Sequence, residues 1–159
     1  MKQLTFNYRF KENLKFEDDT KYYIKLLVLL EQHSRLCKRI NFLLDTGAYL
    51  TVINRITAEL LRFDLLPTIS VFELPGFAGS CKAAFKEIPG LIIGDKILNG
   101  VKVAIPFIDT ELNILGMNVI EHFNFLMDIE NGFIYFNDNP HYKFPAFLKS
   151  ASIQQIGKE

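Results

Sequence analysis

A carboxylate, a hydroxyl and a glycine follow one another at Asp45-Thr46-Gly47, between two apolar arms. Ile40 to Leu44 leads in, and the β-branched run Thr51-Val52-Ile53 leads out. A carboxylate in a tight loop between buried strands is costly to keep ionised unless its neighbours stabilise it. Two chemistries fit such a group. It can close an Asx-type turn and satisfy its own backbone, or it can be held ready as a general acid or base. The triplet by itself does not choose between them.

Other side chains offer no rival centre. His33, His122 and His141 lie far apart, with no carboxylate or cysteine at ligand spacing, so neither a metal nor another cofactor is expected. Cys37 and Cys81 form no disulfide framework and no zinc-like pair, and read as free thiols. With 49% hydrophobic and 23% charged residues, the 159-residue chain has the composition of a soluble globular domain. Its formal net charge of zero gives no bulk attraction to nucleic acid or an anionic membrane, and the basic cluster Arg35, Lys38, Arg39 is short. The N-terminus lacks the apolar core of a signal peptide, and the longest apolar run, Tyr22 to Leu30, is broken by Lys25. The expectation is a cytoplasmic protein with neither a membrane nor a nucleic-acid partner.

The elements that must position Asp45 are mostly strands. Leu4 to Phe10 alternates with period two, Lys11-Glu12-Asn13 reads as a turn, and Leu14 and Phe16 begin a return. Tyr22–Leu30 and Leu36–Leu44 form a hairpin that delivers the chain to Asp45. Asn54 can cap a helix in which Ile56, Leu60, Leu61 and Phe63 share a face, ending before Pro67. Ile69–Leu74 and Cys81–Lys86 are strands around the glycine-bearing turn Pro75 to Ser80. Ile88–Ile93 and Val101–Pro106 follow, joined by a loop ending in the turn signal Asn99-Gly100. A short helix is expected over Met117–Phe123, then a hairpin of Phe125–Ile129 and Phe133–Phe136. Many short strands with few helices predict an all-β barrel or sandwich.

Taken with the elements downstream, the sequence resembles the retropepsin-like aspartic proteases, the single-domain relatives of the retroviral enzymes. The resemblance rests on Leu43-Leu44-Asp45-Thr46-Gly47-Ala48 with Thr51-Val52-Ile53, the hairpin Pro75 to Ser80, Leu91-Ile92-Ile93-Gly94, and Ile114-Leu115-Gly116-Met117-Asn118-Val119-Ile120. It spans about residues 22 to 136, and the stretch Ile92-Ile93-Gly94 before Asn99-Gly100-Val101 is closest to small bacterial members. It implies a closed acid-protease barrel with a flap hairpin and one or two short helices. Residues 21–137 would form the protease domain, 1–20 an N-terminal strand extension and 138–159 a C-terminal extension.

The resemblance also implies roles. Asp45 would be the catalytic carboxylate, with Thr46 bonding across a dimer and Gly47 bringing its N–H to the carboxylates. Ala48, Tyr49, Ile114 and Gly116 would line or support the substrate site, and Gly76, Phe77, Ala78 and Gly79 would form the tip of a flap that closes over an extended polypeptide. Because the chain carries a single Asp-Thr-Gly, a working pair of carboxylates needs two chains about a two-fold axis. At Tyr49 and Leu50 the retroviral enzymes carry acidic residues, and here the positions are aromatic and apolar. The alternative is an inactive dimerisation or peptide-binding module on the same fold.

Overall fold

The computed structural model describes residues 10–13, 15–17, 21–76, 79–94 and 96–137. The expected strand at Leu4 to Phe10 lies outside these residues except for Phe10, and so does the C-terminal extension. Among the described residues eleven strands run β1 (Phe10–Asn13), β2 (Lys15–Glu17), β3 (Lys21–Leu29), β4 (Cys37–Leu44), β5 (Thr51–Val52), β6 (Thr68–Gly76), β7 (Gly79–Ile93), β8 (Lys96–Pro106), β9 (Ile114–Leu115), β10 (Asn124–Asp128) and β11 (Phe133–Asn137). Helix α1 covers Arg55–Leu60 and is followed by a 3-10 turn at Phe63–Leu65, and α2 covers Met117–Ile120.

Six strands close on themselves. β3 pairs with β4, β4 runs parallel to β9, and β9 meets β5. β5 runs parallel to β8, β8 pairs with β7, and β7 returns to β3 through Leu27–Ile92, Val28–Leu91 and Leu29–Gly90. The fold is therefore the closed barrel that the sequence suggested. β2 shares the edge of β3 that β7 occupies further along, and β6 extends the sheet beyond β7. β1, β11 and β10 form a separate three-stranded sheet.

Alternation along the strands fills the barrel. Ile24, Leu26 and Val28 of β3 meet Phe42, Ile88, Leu91, Ile93, Val103 and Leu115 in one buried cluster. Ala58, Leu61 and Phe63 close one side of that cluster from α1 and the 3-10 turn. The Asn54 side chain accepts from Thr57 N at 2.7 Å and so starts α1. Lys86 is buried and has carbonyls for partners: its Nζ donates to Asp64 O (2.6 Å) and Leu66 O (2.7 Å). It ties the segment after α1 to the base of the β6–β7 hairpin, replacing lost hydration with charge-assisted hydrogen bonds.

Four local readings of the sequence change. Lys11 to Asn13 is strand, because β11 supplies a distant partner from Tyr135 to Phe133 that local turn propensity does not reveal. Cys81–Lys86 and Ile88–Ile93 are halves of one strand of 15 residues, β7. Pro89, which has no N–H to give, falls between Lys86, the last partner of β6, and Gly90, the first partner of β3. Asn99-Gly100 does not turn the chain. Ile93 pairs with Lys96, so the chain reverses between them, and Gly100 keeps its positive φ of 63° within β8. Of the expected helical face, Ile56 and Leu60 are exposed, while Leu61 and Phe63 are buried and Ala58 joins them.

Candidate active site

Strand β4 ends at Leu44, and Asp45 follows at the rim of the barrel. Strand β9 lies between β4 and β5, the two strands that the Asp45 loop connects. The loop therefore has to pass over β9, and backbone hydrogen bonds fasten it there. Leu43 N donates to Asn113 O (2.8 Å), Asp45 N to Leu115 O (3.2 Å), Met117 N to Ala48 O (2.7 Å) and Asn118 N to Tyr49 O (2.9 Å). Ala48 N donates to Asp45 O (3.3 Å) and closes the turn. Inside it, Gly47 N donates to Asp45 Oδ1 at 2.8 Å. This bond fixes one carboxylate oxygen and leaves Asp45 partly open at the surface. A Cβ on residue 47 would lie 3.1 Å from that same oxygen, so glycine permits the approach.

Gly116 shows a tighter version of the same device. A Cβ there would meet Leu50 C, Leu50 O and Thr51 N at 2.5–2.7 Å. The β9–α2 corner is pressed against the outgoing arm of the loop, and only a residue without a side chain fits.

Three polar residues to which the sequence reading gave no role complete the frame. Thr51 is fully buried, and its Oγ1 accepts from Gly116 N (3.0 Å) while donating to Asn118 Oδ1 (2.9 Å). Asn118 Oδ1 also accepts from Thr51 N (2.8 Å), and its Nδ2 donates to Lys102 O (2.8 Å). One amide thus links α2, β5 and β8. Asn113 plays a similar part on the other side: its Oδ1 accepts from Asn54 N (2.9 Å) and its Nδ2 donates to Thr57 Oγ1 (3.2 Å). The signal in the sequence is faint, an Asn directly before Ile114-Leu115-Gly116 and another two residues after the glycine. Only the crossing of β9 between β4 and β5 brings these amides beneath the loop.

The structure brings Asp45, Thr46, Gly47, Ala48, Ile114 and Gly116 into one neighbourhood. Thr46 is exposed, and among the described residues no hydrogen bond holds its hydroxyl. Tyr49 projects outward with 76% of its surface exposed, next to half-buried Leu50. Gly76 pairs with Gly79 at the end of the β6–β7 hairpin, and Phe77 and Ala78 lie outside the described residues. The hairpin leans on the barrel through Phe72 and Leu74, which pack against Val52, Ala83 and Ala104. Ile114 joins that small cluster, so the hairpin stem and the strand beneath the Asp45 loop share packing. Among the described residues no cluster of three or more His, Cys, Asp or Glu side chains could hold a metal ion, and no helix is long and apolar enough to cross a membrane.

This architecture is that of the retropepsin-like proteases. A retropepsin-like aspartic protease from Rickettsia conorii superposes with a TM-score of 0.58 at 22% identity, over 84% of this chain and 96% of that one. EIAV protease, solved in complex with an inhibitor, gives a TM-score of 0.48 at 15% identity, over 67% of this chain and 90% of that one. No protein of curated function matches the sequence significantly. The family model described as "gag-polyprotein putative aspartyl protease" matches residues 37–122, from the start of β4 to the end of the α2 turn. The chain belongs to this aspartyl protease family.

Proposed function

We propose that the protein is a homodimeric aspartic endopeptidase in which each chain contributes Asp45. The observation that carries this reading is the state of the Asp45 loop. Its backbone is bolted to β9 and α2, one carboxylate oxygen is fixed by Gly47 N, and the side chain still reaches the surface. An Asx turn alone would not require the further tie of Thr51, Asn118 and Gly116 beneath it.

Two such loops meeting about a two-fold axis would place two carboxylates against one water. Like charges at close range do not both stay ionised, so the pair holds one proton. The ionised carboxylate takes a proton from the water as its oxygen attacks the scissile carbonyl carbon. The protonated carboxyl gives its proton to the carbonyl oxygen. The resulting diol collapses, the C–N bond breaks, and the departing nitrogen takes a proton, leaving an acid and an amine. The exposed Thr46 hydroxyl would be available to the partner loop, and the β6–β7 hairpin would cover an extended peptide through strand-like hydrogen bonds.

The test is Asp45→Asn. An amide keeps the size of the side chain but cannot act as the base, so cleavage of an unfolded polypeptide should fall by at least about a thousandfold. Sedimentation should show the dimer unchanged. Activity retained in a folded Asp45→Asn dimer would end this reading.

A further inference from the structure

Strand β11 ends at Asn137, which pairs with Asn124 at the start of β10. Asn124 follows His122 by two residues, and His122 lines a cavity of about 360 Å3. Successive Cα atoms are about 3.8 Å apart, and partners across an antiparallel pair about 5 Å apart. Asn137 Cα therefore stands within roughly 13 Å of His122 Cα, and the chain beyond β11 sets out beside this cavity.

The lining is mostly apolar: Tyr49 and Leu50 from the arm leading out of the Asp45 loop, Phe85 of β7, and Ile97, Leu98 and Val101 of β8. Its polar groups are largely committed. Asn118 uses both ends of its amide within the chain, and the Lys102 ammonium is paired with Glu87. Ile97 is half exposed and Tyr49 more so, which leaves large apolar surface facing water. Contiguous surface of this kind marks a place where something docks.

An occupant lies close by in the sequence. Asp138 to Lys143 is mostly polar, and the apolar stretch Phe144-Pro145-Ala146-Phe147-Leu148 follows. Phe144 is seven residues past Asn137, and an extended chain covers about 3.3 Å per residue. The reach of about 23 Å exceeds the distance to His122 and leaves room to enter the cavity. Tethering through so few residues gives an effective concentration on the order of millimolar. Pro145 withholds a backbone donor, so the stretch suits docking by side chains better than joining a sheet edge.

We propose that the cavity is the docking site of the chain's own C-terminal segment 144–148, with the ring of Phe144 or Phe147 seated against Leu50, Phe85 and Ile97. The segment then braces the arm that carries the chain away from Asp45. Neither a dimer nor catalysis is needed for this.

The test places a photoreactive benzophenone amino acid at position 147 of the full chain and maps the adducts by mass spectrometry. They should fall on residues 49–50, 85 or 97–101, in a species of single-chain mass under denaturing conditions. Adducts confined to other surfaces would overturn the proposal. So would cavity adducts found only at doubled mass, which would give the site to a second copy. Ile97→Lys puts a cation into the apolar lining at a half-exposed position, and should lower the yield of cavity adducts by at least about fivefold. An undiminished yield in that variant would count against the site. A full chain carrying Phe144→Ser and Phe147→Ser gives a second measurement. Amide hydrogen exchange over residues 49–51 and 97–102 should quicken by at least about tenfold. A peptide of residues 141–150, added at about 1 mM, should restore the protection in this variant and leave the wild type as it was. Exchange that the double substitution leaves unchanged would show that the cavity has no such occupant.

Discussion

The Asp45 loop and the β6–β7 hairpin are both chain reversals that depend on glycine, but they are built in opposite ways. Beneath the Asp45 loop every glycine is crowded. Gly47 touches the carboxylate, and Gly116 has backbone atoms of Leu50 and Thr51 where a Cβ would sit. At the hairpin end Gly79 has a φ of 112° and nothing within 4 Å of the Cβ position. In the first region glycine is needed for space, and in the second for backbone conformation. The difference sets a crowded loop that fixes a carboxylate against a hairpin whose Gly79 has open space around it. Under the proposed peptidase reading, such a pairing would hold the reacting groups still while admitting a polypeptide.

The largest effect expected from probing this contrast is Gly116→Ala. Its methyl would collide with three backbone atoms that cannot rotate away, costing about 3 kcal/mol or more and lowering the melting temperature by roughly 10 °C. Thermal unfolding followed by circular dichroism checks this, and a variant as stable as the wild type would show that the crowded loop yields. Asn118→Ala comes next. It leaves the N–H and hydroxyl of buried Thr51 without their acceptor, at about 1–3 kcal/mol for each buried group. The measurable loss should be about 2 kcal/mol by urea unfolding, with a fall in turnover larger than the rise in KM, because the loop loses its position rather than its substrate contacts. Gly79→Ala should do least to stability, about 1 kcal/mol for an L-residue at that φ, with no collision to add. Its larger effect should appear in peptide hydrolysis rates, with only a small shift in unfolding. A large loss of stability there would mean that the hairpin end is packed after all.

The same contrast explains how much could be read from the sequence. The barrel was legible because its strands carry their own alternation, as in Ile24, Leu26 and Val28. The Asp45 loop was legible because a polar triplet between apolar arms is locally unusual, and because Ile114-Leu115-Gly116 repeats the apolar-apolar-glycine pattern downstream. What escaped depends on partners far away in the chain. Lys11 to Asn13 becomes strand only because β11 lies beside it. Asn99-Gly100 looks like a turn until Gly94 is seen to make the reversal and β8 to continue through Gly100. Thr51 and Asn118 are separated by 67 residues, and no local pattern announces their bond. Ile56 and Leu60 fitted a helical face but emerge on the wrong side of α1, since Ala58 and Leu61 take the inward positions.

The central claim is that one Asp45 is only half of a catalytic centre. It is tested most directly by mixing wild-type and Asp45→Asn chains, letting subunits exchange, and measuring peptide hydrolysis against composition. If both carboxylates are required, an equal mixture retains about a quarter of the activity of an all-wild-type sample at the same total concentration, following the square of the wild-type fraction. Activity of about half, falling in direct proportion to the wild-type fraction, would show that a single chain suffices and would contradict the account.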